Sequence, residues 1–511
     1  MKKFLSVLLI AALAVTMFSI PALADDLTTI TVMLWDRGDA PAGYDGVENT
    51  KMTDYINEQI APLGIKVEFV STPRSGSDDK LTTWMAGSSA PDIIFSYGQS
   101  TFLNFATQGG LCDLTEGLAK LGEDSNIVKY VGDVMNMGNI DGHQYALLSK
   151  RGAANPRHTA YIRKDWLDEL GLPMPTTKEE LIDTLYKFKE AKPDCIPWAM
   201  NGRTDTEKTY LNFVGSYVDF ADTKDEYKYS EGYIVMHDGA LEGIRTLNKL
   251  YNDGIIGKDF ATDTTEDLFK AAVSSGNVGF VLDDNTRIFD YMDALNCENG
   301  EQVRTTFVPV SCFTKADGEI RNPFEYAYGM YIMVPWTSAD KVDAVLTYLN
   351  WLADPVNAEN VAYTPEHTVN ETTGVPNPFT GDELSAMGYK STLDDFNILN
   401  KHFLFTEERE GVIAGYQGSN KFETYDWFAN LYDTLQKGFF RYPTMPMAPD
   451  VEAQKGEIVK ADMITYVYRL ISCPTDQFDS LEAELHANLN NAGLNEIIEA
   501  RDAYYTSVYG E

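Results

Sequence analysis

The chain has 511 residues and a formal net charge of −36, with 77 acidic against 41 basic side chains. That balance argues against nucleic acid or anionic lipid as a partner, because polyanions are repelled. Five dispersed cysteines are too few for a disulfide scaffold and form no CxxC metal pattern, so buried thiols are expected, with Cys297 and Cys312 the nearest pair.

Met1-Lys2-Lys3, the apolar run Phe4 to Ile20 and the small-residue triplet Ala22-Leu23-Ala24 have the pattern of a cleavable export signal. The apolar stretch is short for a membrane span and Pro21 interrupts it. The mature chain is expected to begin at Asp25. No cysteine stands at the cleavage site, so a free rather than lipid-tethered protein is expected.

Strand-like and helical runs then alternate. Ile30 to Trp35, Ile65 to Val70 and Asp92 to Tyr97 read as strands, and Asn49 to Ala61 and Asp78 to Ala86 as helices. A βαβαβ run implies a parallel sheet with right-handed crossovers, so the fold class is α/β. Ligands of open α/β sheets settle outside the carboxyl ends of the strands. Trp35, Asp36 and Arg37, and Tyr97 with Gln99, fall at that rim.

A second unit opens at Tyr161 to Arg163, followed by a helix over 164–170 that Gly171 stops from the left-handed position. Thr177 and Glu180 have capping-box spacing, and Leu181, Leu185 and Phe188 form a core-facing stripe. Further helices are expected over 241–252, 265–274 and from Val342 to Asp354-Pro355, with strands over 278–282 and 328–334 and a hairpin turn at Asp317-Gly318.

The order of short motifs resembles the sugar-type extracellular solute-binding proteins of ABC importers. The matching pieces are GSSAPDIIF (87–95), QGGLCDL (108–114), IRKDWLDELGLPMPTTKEEL (162–181), LYNDGII (250–256), AVSSGNVGF (272–280) and the stretch 344–359. The resemblance covers roughly residues 28 to 365 and fades in the tail. It implies a two-lobed fold of the periplasmic-binding-protein type II, with the ligand cleft between the lobes. By it, lobe 1 comprises 28–148 plus 282–334 and lobe 2 comprises 158–278 plus 338–511, with crossings near 149–157, 282–284 and 335–338. It further implies a monomer that closes on an oligosaccharide and presents it to a membrane permease.

Catalytic signatures are absent from the sequence: there is no HExxH, Walker A, GxGxxG or GxSxG, and the six histidines are not spaced as metal ligands. No cofactor or metal is expected. Asp219, Asp222 and Asp225 lack the ligand spacing of an EF-hand. A glycan-cleaving enzyme stays open as an alternative through the adjacent pair Asp283-Asp284, as does a glycan-binding module without transport.

With 12% aromatic residues, stacking on sugar rings is the natural binding chemistry. Candidate aromatics are Trp35, Tyr97, Trp198, Tyr328 and Trp427, and candidate polar groups are Asp36, Arg37, Gln99, Arg151, Asn201, Arg203 and Asp284. The guanidiniums of Arg37, Arg151 and Arg203 are placed either to meet acidic sugars or to form internal salt bridges.

Overall fold

The computed structural model describes residues 27–156, 158–284, 287–288, 291–292, 295, 306–371, 374–405, 409–418 and 425–510. The export signal and Cys297 lie outside the described residues. Cys112, Cys195, Cys312 and Cys473 are free and buried, as expected of core thiols. Among the described residues no helix is long and apolar enough to cross a membrane.

Two sheets organise the chain. In the first, β1 (Thr28–Asp36) pairs in parallel with β2 (Ile65–Pro73). A parallel bridge from Val32 to Ile93 brings β3 (Ile94–Ser96) to the other side of β1. The alternating run before residue 97 therefore forms the parallel arrangement its periodicity implies. The sheet continues from β3 through β9 (Tyr328–Met333), antiparallel to both β3 and β4 (Ala146–Lys150). In the second sheet the order is β8 (Phe307–Val310), β5 (His158–Arg163), β7 (Val278–Asp284), β6 (Ile196–Ala199).

The second sheet is buried on both faces, and strand alternation assigns each residue to a side. Ala160, Ile162, Phe280 and Leu282 face one hydrophobic core with Leu181, Leu185 and Phe188. Tyr161, Val281 and Phe307 face another, with Trp427, Phe428 and Leu431. Local signals hold where they concern the backbone: helix Lys164–Leu170 ends at Gly171 with φ 63°, a conformation glycine adopts without Cβ strain. The capping box is half realised. Thr177 Oγ1 accepts the Glu180 N–H, but the Glu180 carboxylate turns to the N–H and hydroxyl of Thr176.

Packing corrects the expected lobe boundaries. Strand β7 through Asp284 and strand β8 belong to the second sheet, so 282–284 and 307–310 are not part of the first lobe. Helices Val342–Ala353 and Pro355–Tyr363 bury Val345, Leu346, Leu349 and Val361 in the core of β1, β2 and β3, so the segment after 338 returns to the first lobe. Asp354 caps the second of these helices, and Pro355 at its start cannot extend the first. Helices Asp450–Ser472, Phe478–Ala492 and Leu494–Tyr509 then join the core of the second lobe.

The crossings lie side by side. Segment 151–156 leaves β4 for the second sheet, the stretch between β8 and β9 comes back, and the chain leaves again after Asn400. They are tied by backbone hydrogen bonds from Arg151 N to Ala327 O, Glu325 N to Asn155 O and Lys401 N to Lys150 O, at 2.9, 2.9 and 3.0 Å. Gly152 is required there, because a Cβ would stand 2.6 Å from the Phe405 ring.

Candidate functional site

Polar and aromatic side chains gather at the carboxyl ends of the strands in both sheets, at opposite ends of the same crossing. Arg151 begins that crossing beside the first cluster, and His158 follows it beside the second.

The first cluster is an aromatic rim. Tyr97, just past β3, is 45% exposed and stacks on Trp35 with ring centres 5.8 Å apart. Trp35 itself is only 3% exposed. It acts as the support beneath the rim, with the Arg74 guanidinium over its face at 4.0 Å. Arg37 Nε and Nη2 make two bonds to the Asp395 carboxylate, at 2.9 and 2.8 Å, and that pairing holds its pKa above the ordinary guanidinium value. Asp36 accepts the Gly38 N–H at 2.8 Å within a turn. Arg151 donates to Tyr328 O and to Glu325 Oε2, both at 2.9 Å, and Tyr328 stacks on Tyr326 at 5.4 Å. Gln99 donates across to Met445 O at 3.1 Å, ahead of helix Asp450–Ser472.

The second cluster is an ionic wall. Lys208, with a side chain 2% exposed, lies 2.5 Å from Glu266 and 2.7 Å from Asp283, with Asp284 at 3.6 Å. Burial opposes its charge, but Asp283, Asp284 and Glu266 together raise its pKa. Burial likewise disfavours the Glu266 carboxylate, yet Lys208, Arg287 and Arg203 hold its pKa below the ordinary value. Asn201 reaches the same carboxylate at 3.5 Å. Arg203 grips Asp205, whose carboxyl is thereby held low. Asp283 also accepts from the Tyr291 hydroxyl. Asp284 keeps a side chain 44% exposed, 3.3 Å from His158 Nδ1.

The structure thus brings Trp35, Arg37, Tyr97, Arg151 and Tyr328 together on one wall, and Asn201, Arg203 and Asp284 on the other. Two candidates are corrected. Trp198 lies within β6, fully buried against Phe213 and Phe280. Trp427 is buried on the far face of the second sheet, stacked on Tyr161, with its indole N–H donating to Phe307 O at 3.0 Å. Both are core residues. Asp283 is spent inside the wall, so the adjacent carboxylates do not form a free pair. Asp219 is paired with Lys315, Asp222 caps a helix and Asp225 meets His237. Arg74 and Lys208 carry the clusters without having been singled out from sequence. Arg74 follows β2 as Tyr97 follows β3, so the strand-end rule reaches it, whereas nothing local marks Lys208.

A model of the family described as bacterial extracellular solute-binding protein matches residues 49–359. The chain belongs to that family. Among curated relatives, lipoprotein LipO of Bacillus subtilis is 25% identical over 317 residues, 58% of this chain and 59% of LipO. The fructooligosaccharide ABC transporter substrate-binding protein FusA of Streptococcus pneumoniae is 27% identical over 219 residues, 38% of this chain and 40% of FusA. The matches therefore span about half the length of these relatives. In overall shape, the solute-binding protein resembles an HMO-binding, ABC-transporter-associated solute-binding protein from Bifidobacterium longum infantis. The TM-score is 0.67 at 17% identity, covering 94% of this chain and 99% of that one. The fold is the two-lobed α/β fold of solute-binding proteins.

Proposed function

We propose that this protein is the non-enzymatic capture component of an ABC importer, binding an oligosaccharide between its two walls and delivering it to a membrane permease. The observation that carries the reading is Tyr97, a ring left 45% exposed at the strand ends and backed by Trp35, beside a crossing that joins both walls. A sugar ring stacks its C–H face on such a surface while the polar groups around it take the hydroxyls. Relatives named for fructooligosaccharide and diacetylchitobiose binding support the ligand class.

The three adjoining crossings make the hinge, and a glycan touching both walls favours the closed form through its differential contacts. The protein acts as a monomer and works outside the membrane, released from its export signal after Ala24. Intact-mass measurement of the exported protein checks the last point, with Asp25 expected at the amino terminus. A thermal-shift screen against neutral and acidic oligosaccharides tests the function: stabilisation by a glycan supports it. Stabilisation only by peptides or other solutes, or release of reducing ends from a bound glycan, overturns it.

A further inference from the structure

The rim holds three guanidiniums, and two of them are already neutralised. Arg37 is bound by Asp395 and Arg151 by Glu325. Among the described residues no carboxylate pairs with Arg74: its side chain makes only ring contacts, at 4.0 Å to Trp35 and 5.6 Å to Tyr97. In a chain of net charge −36, a cation without a counter-charge at a strand-end rim is the exception. The opposite wall shows the usual solution, with Lys208, Arg203, Arg287 and Lys270 set against Glu266, Asp283, Asp284 and Asp205.

A guanidinium over an indole uses its face for the cation–π contact, and its N–H donors lie in its own plane. Those donors remain available for an oxyanion. The exposed Tyr97 ring lies within one sugar ring of Arg74, so a pyranose stacked on Tyr97 brings a substituent at its edge to the guanidinium.

We infer that Tyr97 and Arg74 form a subsite for a uronosyl residue, the sugar ring on Tyr97 and its carboxylate on Arg74. This rests on the glycan-binding reading. A carboxylate matches the two-pronged guanidinium better than a hydroxyl does, and it supplies the partner that no described carboxylate gives Arg74. The sequence places Arg37, Arg151 and Arg203 as candidates for this role, and the structure gives all three to internal carboxylates.

The test is calorimetric titration of the mature chain with two oligosaccharides of equal length and linkage, one with uronosyl residues and one with the neutral sugar. The wild type is expected to bind the acidic form about tenfold or more tighter, with the preference shrinking in high salt. Arg74→Gln should bring the two affinities together, and Arg74→Lys, which keeps the charge without the planar fork, should retain part of the preference. Equal wild-type affinities, or a preference unchanged in Arg74→Gln, overturn the subsite while leaving glycan capture standing. Binding of neither glycan overturns the glycan reading itself.

Discussion

The two walls solve the problem of polar groups at a strand end in opposite ways. On the second lobe, Lys208 is enclosed by Glu266 and Asp283, and Arg203, Lys270 and Arg287 are likewise set against Asp205 and Glu266. On the first lobe, Tyr97 is open and Arg74 has aromatic neighbours in place of a carboxylate. A wall whose groups satisfy each other gives rigidity and little affinity. A rim whose groups are unsatisfied is where a ligand gains most.

That contrast yields graded tests. The largest effect is expected from Lys208→Met, which leaves Glu266 and Asp283 buried without their ammonium and should cost about 3–5 kcal/mol of unfolding free energy. Chemical denaturation reads it, and a loss below 1 kcal/mol would show that the wall is not the rigid element.

Asp92 offers the equivalent test in the first lobe. Burial opposes its charge, but Ser338 Oγ, the Thr31 N–H and hydroxyl, and Lys341 hold its pKa below the ordinary 3.8. Its contribution is therefore complete above that value and is lost as pH falls through the native pKa. Asp92→Asn should cost about 1.5–3 kcal/mol at pH 7, with a smaller gap to wild type at pH 3. A gap that stays constant with pH would remove the carboxylate's role.

On the rim, Tyr97→Ala should lower glycan affinity about tenfold while the melting temperature stays nearly unchanged, because the ring is half in water. Smallest is Trp427→Phe, which removes the bond to Phe307 O. It should cost about 1 kcal/mol of stability and nothing in glycan affinity, whereas a loss of affinity would return Trp427 to the site.

Much of this was legible in the residues. The alternation from Ile30 to Tyr97 yields the first parallel strands, and the strand-end rule locates Tyr97. The Leu181, Leu185, Phe188 stripe and the Gly171 stop appear as expected. Periodicity shows that a helix has an apolar face but not which core receives it, so Val345 and Leu349 were expected in the wrong lobe. For the same reason Trp198 and Trp427 are indistinguishable in sequence from exposed aromatics. Tertiary packing alone decides between them. The Lys208 cluster joins residues far apart in the chain, and no local pattern announces it.

Closure of the two walls around a glycan is the claim on which the rest depends. Small-angle X-ray scattering of the mature chain, with and without a saturating bound oligosaccharide, measures it directly. A smaller radius of gyration in the complex is the predicted result. An unchanged radius with the glycan demonstrably bound would contradict capture between the lobes.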